Sequence, residues 1–253
     1  MKISGNTVLI TGGATGIGFA LAQRFLLEDN TVIIVGRRRD KLTEARDKLP
    51  DLHIKGCDIS IEAERVSLFN WIKNEFPQVN VLVNNAGIQQ RVNLLQEAHE
   101  WDYYRKEISI NVDAPIHLSM LFASHFIQQE HAAIINISSG LAIRPGVWVP
   151  IYSATKAALH SFTVSLRIQL AQTNVKVTEV FPPAVNTDLG GAGLHTFGAP
   201  LQDFADSVFS RLKEGEHEIG YGDSEARLTA SKAENDKGAI EAWRNFLKNN
   251  PDF

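Results

Sequence analysis

Six or seven short apolar runs, each separated from the next by a stretch of helical periodicity, predict an α/β fold: a three-layer, doubly wound parallel sheet in a single domain. Two further observations point the same way. The first run opens directly into a glycine turn and a helix, and the polar and glycine-rich segments fall just beyond the C-terminal ends of the runs, where sheets of this kind bind ligands.

The first strand, 7–11 (Thr-Val-Leu-Ile-Thr), is apolar and β-branched, as a strand buried on both faces requires. Gly12-Gly13-Ala14-Thr15-Gly16-Ile17-Gly18 follows, and helical periodicity begins at Phe19. A helix starting on glycines offers unpaired N–H groups and the positive end of its dipole, an anion site that suits a pyrophosphate. The alternative is a tight structural bend. The spacing Gly-xxx-Gly-x-Gly differs from the common Gly-x-Gly-xx-Gly fingerprint.

The second strand, 31–35, ends at Gly36-Arg37-Arg38-Arg39. In dinucleotide folds an acid at this tip binds the ribose 2′-hydroxyl, whereas an arginine accepts a 2′-phosphate. No acid stands here, so the bidentate fork of Arg37 favours NADP over NAD, and at least one of the three arginines belongs to a solvated loop.

A third strand, 53–57, carries Asp58 and Ile59 at its end, and an amphipathic helix follows over 62–75. The fourth strand, 79–83, leads into Asn84-Asn85-Ala86-Gly87, small enough for the backbone to approach a ligand. The segment 101–120 reads as one helix in which Asn111, among Ile108, Ile110 and Val112, marks either a local bend or a functional group. The fifth strand, 132–138, delivers Ser138 and Ser139. A helix bearing Tyr152 runs to about residue 172, and the sixth strand, 175–181, ends in Pro182-Pro183-Ala184-Val185-Asn186-Thr187-Asp188. The glycine-rich stretch 190–198 reads as a lid, within a segment of about 188–214 whose second part, 202–214, is helical. A last strand over 218–221 and a helical stretch over 239–247 complete the chain.

Tyr152 and Lys156 are four residues apart on a helix, so their side chains share one face. A phenol titrates near pH ~10, and a neighbouring ammonium favours phenolate, drawing the tyrosine toward the working range. Ser139, ahead of a Gly- and Pro-containing loop, can hydrogen-bond a substrate oxygen held near that phenol. An isolated Tyr-xxx-Lys pair is usually an inert surface pair. Here the weight comes from the convergence of all these residues beyond the strand ends.

Composition limits the alternatives. With 44% apolar and 21% charged residues and a net charge of -4, neither nucleic acid nor an acidic membrane surface is an expected partner. One cysteine, Cys57, excludes an internal disulfide and a cysteine-cluster metal site, and no His spacing suggests a metal. No cationic leader or long apolar run is evident, so the expected location is cytoplasmic.

Taken in order, the glycine turn, Asn-Asn-Ala-Gly, Ser-Ser and Tyr-xxx-Lys resemble the short-chain dehydrogenase/reductase family over nearly the whole chain. The stretch from Pro182 to Leu189 more narrowly resembles the oxidoreductases encoded with the D-alanylation genes of Gram-positive teichoic acids. The resemblance implies a Rossmann-like fold and reversible hydride transfer between NADP(H), with NAD as second choice, and a carbonyl/alcohol pair.

It further implies that Gly12, Gly16 and Gly18, with Thr15 and Ile17 between them, form the phosphate turn. Asp58 and Ile59 would contact adenine, Asn85, Ala86 and Gly87 would form the central cofactor motif, and Pro182, Val185 and Thr187 would lie on the nicotinamide side. Asn111, Ser139, Tyr152 and Lys156 match the catalytic tetrad, with Lys156 also gripping the nicotinamide ribose and Asn111 anchoring a water that returns the proton. Ser139 is preferred to Ser138 because it precedes Tyr152 by thirteen residues. Two departures stand out: Pro183 replaces the usual glycine, removing an N–H donor near Val185, and Thr15 occupies a position often basic in NADP-preferring relatives.

Leu141, Ile143, Val147, Trp148, Val149 and Phe197 are candidates to line a pocket for a substrate with a hydrophobic body, and His195 is either a ligand contact or a solvated loop residue. The resemblance implies a homodimer or homotetramer formed through the helices around Asn111 and Tyr152, with Phe122, Phe126, Phe162 and Leu166 serving as interface or as core. The rival reading is a non-catalytic NADP(H)-binding sensor or regulatory subunit, against which the intact tetrad argues.

Overall fold

The computed structural model describes residues 1–96 and 99–253. Among the described residues, seven strands form one sheet: β1 (Thr7–Thr11), β2 (Thr31–Gly36), β3 (His53–Gly56), β4 (Val81–Asn84), β5 (Ala132–Ile137), β6 (Val175–Val180) and β7 (Glu218–Ile219). All pairings are parallel, in the spatial order β3-β2-β1-β4-β5-β6-β7. The chain winds outward from β1 through β2 and β3, then returns to place β4 on the other side of β1. A ligand crevice belongs at such a reversal.

Alternation along β1 decides the two cores. Val8 and Ile10 face α1 (Gly16–Leu27), α2 (Arg39–Lys48) and α7 (Leu201–Glu214), meeting Leu21, Phe25, Leu42, Phe204 and Val208. Leu9 faces the opposite side, with α3 (Glu62–Glu75) and α5 (Ala114–Phe126), meeting Leu68, Ile72, Leu118 and Phe122. Each such side chain taken fully from water contributes roughly 1.5–3 kcal/mol, and this is why the central positions of β1 and β2 are uniformly apolar. Buried Arg24 joins α1 to α7, donating to Asp206 at 2.8 Å, to the Ala20 carbonyl at 2.8 Å and to the Gln202 carbonyl at 3.0 Å.

Several expectations need correction. The segment 101–120 is not one helix: α4 (Trp101–Ile108) gives way to a π-helical turn, Ser109–Asp113, before α5. Arg39 starts a helix, α2, with Arg38 at its N-cap, which leaves Arg37 as the exposed arginine of the loop after β2. Within 188–214 only the first part is irregular; α7 buries Phe204, Ala205, Val208, Phe209 and Leu212 and belongs to the core. Phe122 and Phe126 are fully buried within the chain, Phe122 edge-on to Phe69 at 5.0 Å between ring centroids, so neither is available to a partner. The remaining helices are α6 (Pro150–Gln169), α8 (Asp223–Thr229) and α9 (Lys232–Asn249), the last longer than its sequence pattern suggests. No helix among the described residues is long and apolar enough to cross a membrane.

Candidate active site

A cleft of about 1320 Å³ opens beyond the C-terminal ends of β1, β4, β5 and β6. At one end lies the glycine turn. Gly12 adopts φ +64° and packs so closely on Ala86 that an added Cβ would come within 2.9 Å of its Cα. A Cβ on Gly18 would lie 2.4 Å from Asn85 Nδ2 and 2.6 Å from the Gly12 carbonyl oxygen. These contacts draw the start of α1 against the segment after β4, and no side chain caps that helix end. The first-turn N–H groups therefore face the cleft with the positive helix end behind them. Gly12, Thr15, Gly16 and Ile17 line it, whereas Gly18 lies behind the wall.

Thr11, which the sequence reading passed over, organises this junction. Its hydroxyl donates to the Val83 carbonyl at 3.3 Å and accepts the N–H groups of Asn85 and Ala86 at 3.0 and 3.1 Å. Asn85 Nδ2 donates back to the carbonyls of Thr11 and Gly12 at 2.9 and 3.1 Å. Asn85, Ala86 and Gly87 are thereby fixed along the cleft wall. Beneath them, Asn84 and its register partner Asn136 are joined at 2.8 Å and continue to Ser119 and Thr163 at 3.0 and 2.8 Å.

Asn111 sits in the π-helical turn, 1% exposed, and does not line the cleft. Its carboxamide grips the backbone of Ile88, accepting from N–H at 3.0 Å and donating to C=O at 2.9 Å, and donates to Thr155 Oγ1 at 3.1 Å. The Thr155 hydroxyl donates to the Tyr152 carbonyl at 2.7 Å. The local widening of the helix coincides with Asn111, so the bend and the buried carboxamide are one feature.

Ser139, Tyr152 and Lys156 line the cleft together. Ser139 ends the segment after β5 and accepts the Leu141 N–H at 3.1 Å, capping the short 3₁₀ turn Gly140–Ala142. It lies within hydrogen-bonding reach of the Tyr152 hydroxyl. Ser138 also borders the cleft, but its hydroxyl is committed to the Val180 carbonyl at 3.2 Å. Lys156 Nζ stands 5.6 Å from the Tyr152 ring centroid and donates to the Ile137 carbonyl at 2.8 Å.

The electrostatics differ from expectation. Burial pushes the Tyr152 phenol well above its ordinary value, the Ser139 hydrogen bond opposing this and the Glu107 charge adding to it. Burial also lowers Lys156 to about 8, against the pull of Glu179 and Glu107. Desolvation outweighs the pairing, so the ammonium does not draw the phenol down; the lysine itself moves toward neutrality.

Back at the glycine-turn end, Arg37 Nη1 is 3.8 Å from Asp58 Oδ2, while Arg38 Nη2 reaches Thr15 Oγ1 at 3.5 Å. Both arginines, Asp58 and Ile59 line the cleft. Asp58 also accepts from the Ser60 N–H and hydroxyl at 3.0 and 2.7 Å. Arg38 joins Arg37 at this end because its N-cap position at α2 brings it to the glycine turn, a placement with no local signal in the residue order.

Opposite the tyrosine, Pro182, Val185 and Thr187 form the other wall. The Pro182 carbonyl accepts the Gly140 N–H at 2.9 Å, and Val185 pairs with Ala199 in a short parallel bridge that closes the base of 186–198. His195 in that loop is half-buried, with Nδ1 unpartnered and its pKa lowered chiefly by burial, so it faces the cleft rather than solvent. Of the apolar candidates, Leu141, Trp148 and Phe197 line the cleft; Val149 is core, and Ile143 and Val147 lie outside it.

Residues 6–195 match the family pattern described as short chain dehydrogenase. The chain is 43% identical over 242 residues, 94% of its length and 96% of the relative's, to an uncharacterized oxidoreductase, DltE, of Bacillus subtilis (strain 168), in line with the narrower resemblance of Pro182 to Leu189. In fold it resembles a short chain dehydrogenase from Burkholderia cenocepacia J2315 in complex with NADP, with a TM-score of 0.78, 24% identity and 98% of each chain covered. It equally resembles a short chain dehydrogenase/reductase from Burkholderia phymatum in complex with NAD, at a TM-score of 0.78 and 22% identity over 87% of this chain and 90% of that one.

Proposed function

Because the chain belongs to the short-chain dehydrogenase family and is an oxidoreductase, we propose that it transfers hydride reversibly between NADP(H) and a carbonyl/alcohol pair on a substrate with an apolar body. The observation that carries this reading is that one cleft joins an uncapped helix start, flanked by two arginines, to the Ser139, Tyr152 and Lys156 group.

The site fits a dinucleotide. The glycine turn leaves no Cβ between the backbone and the cleft at Gly12 and Gly16, and its N–H groups suit a pyrophosphate. Arg37 and Arg38 would hold a 2′-phosphate, Asp58 and Ile59 the adenine, and Asn85 to Gly87, Lys156, Pro182, Val185 and Thr187 the nicotinamide half. When bound, the nicotinamide supplies or accepts the hydride; position and protons come from the protein.

Ser139 Oγ accepts the Leu141 N–H, and the proton its hydroxyl directs toward Tyr152 would turn to hold a substrate oxygen placed between the two. Burial keeps Tyr152 protonated, which suits an acid that gives its proton to the oxygen as it gains charge in the reducing direction. Lys156, at about 8, exchanges protons readily near neutrality and can restore the phenol. Asn111 fixes Ile88 and Thr155, and through Thr155 the turn of α6 carrying the tyrosine. Leu141, Trp148 and Phe197 receive the apolar body, and the loop 188–199 acts as the lid. The enzyme works in the cytoplasm as a homodimer or homotetramer through the outer faces of α4 to α6, where Trp101, Met120 and Ile168 are exposed.

Consumption of NADPH with a panel of aromatic and aliphatic ketones, run beside NADH, tests this. Turnover is faster with NADPH, and the preference collapses in the Arg37→Ala/Arg38→Ala double variant. A preference for NADH would move the reading to NAD; no binding of either would favour a non-catalytic role.

A further inference from the structure

The carboxyl of Glu107 has no part in the reaction derived above, yet it is 0% exposed and lies beside the group that moves protons. Its Oε1 accepts the Gln90 N–H at 3.2 Å, while its Oε2 has no hydrogen-bond partner. The side-chain Oε1 of Gln90 is buried and unpartnered as well. Two buried acceptors without a donor require a proton nearby, either on the carboxyl itself or from a water donating to both.

The position is equally specific. Glu107 lies four residues before Asn111, and the two side chains clamp one segment: Asn111 holds both backbone groups of Ile88, and Glu107 holds the N–H of Gln90. Packing of α4 on α6 brings the carboxyl toward Lys156 and Tyr152. Those two are the titratable groups facing it from α6, the 88–90 segment presents only neutral Gln90, and Glu179 of β6 acts on Lys156 in addition. Burial raises Glu107 to about 7, opposed by the Gln90 N–H and by Lys156.

We propose that Glu107 is a positioning residue that stores the proton returned to Tyr152 through Lys156. The proposal rests on the hydride-transfer reading above. In the reducing direction the phenol O–H bond breaks and its proton forms the alcohol O–H. The Lys156 ammonium then gives a proton to the phenolate, and the Glu107 carboxyl gives one to the Lys156 amine. Glu107 Oε1 is engaged by Gln90 and Lys156 Nζ by the Ile137 carbonyl, with no direct bond between them, so a water carries this last transfer. Solvent reprotonates the carboxylate. One proton enters for each delivered, and no electrons move in these steps.

Infrared difference titration of the whole protein between about pH 5 and 9 tests the storage site without requiring a substrate. A buried carboxylic-acid carbonyl band is expected to disappear with a midpoint of about 7. It should be missing in Glu107→Gln and move to higher pH in Lys156→Met, where the opposing charge is gone, by on the order of one pH unit or more. A missing band, or one indifferent to Lys156→Met in protein whose circular dichroism matches the parent, overturns the proposal. For turnover, Glu107→Gln should lower kcat by about tenfold or more, leave KM for NADPH unchanged and change the kcat–pH profile, leaving only the Lys156 limb near neutrality. An unaltered kcat–pH profile in Glu107→Gln also overturns it. Failure of the hydride-transfer reading would instead show as no NADPH oxidation by the parent protein, and failure of the proton-donor assignment as turnover surviving Tyr152→Phe, both separate results.

Discussion

Tyr152 is 5% exposed, and the ammonium beside its ring is itself buried, so two groups that would stabilise each other in water are each pushed toward neutrality. The spacing of Tyr152 and Lys156 is legible in the sequence because four residues fix a shared helical face. The direction of the pKa shifts is not, since it depends on strands and loops far away in the chain that exclude water. Glu107 escaped notice for the same reason: a glutamate before an asparagine in a helix reads as a solvated face until α6 covers it. Its carboxyl stands at about 7 when folded against 4.5 ordinarily. The folded state therefore binds this proton more tightly, and stability declines as pH rises from about 4.5 through 7, a cost of ~3 kcal/mol above that window. Glu107→Gln keeps an acceptor toward Gln90 and carries no such cost. Its unfolding temperature should match the parent near pH ~4.5 and exceed it near pH ~8. An equal difference at both pH values would contradict the burial of a titrating carboxyl.

At the scale of elements, β1, the glycine turn and α1 were readable because apolar β-branching, glycine spacing and helical periodicity are local signals. The π-helical turn was not, since its widening is set by Asn111 reaching Ile88 and Thr155 across the fold. Likewise α2 carries only Leu42 and Ala45 on its buried face, too few for a periodic signal among its charges. The turn depends on close approach. Gly18→Ala places a methyl against Asn85 Nδ2 and the Gly12 carbonyl, both already committed to each other, so overpacking should cost about 1–3 kcal/mol. Urea unfolding should show the lower midpoint, and NADPH titration a weakened affinity. Unchanged values for both would mean that α1 has room to move away from β4.

At the scale of the molecule, the strand order places the glycine turn and the Ser139 group at opposite ends of one crevice, a convergence anticipated from where polar residues fall along the chain. The wall behind the substrate end was not anticipated. Phe246 of α9 stacks on Trp148 at 4.9 Å and on Trp243 at 5.7 Å between ring centroids, with Arg91 over it at 5.5 Å. These aromatics sit in a polar terminal stretch whose partners lie about a hundred residues earlier, so no local pattern reveals the contact. Lid residues 188–199 and this aromatic wall together shape the space into which Tyr152 points. The most direct measurement is NADPH binding and NADPH oxidation on Tyr152→Phe and the parent side by side, with one ketone that the parent reduces. Unchanged NADPH affinity with turnover lost by roughly a hundredfold or more is the expected result, since a positioned acid contributes at least that much. Turnover retained within a few fold would contradict Tyr152 as the proton donor and with it the central claim.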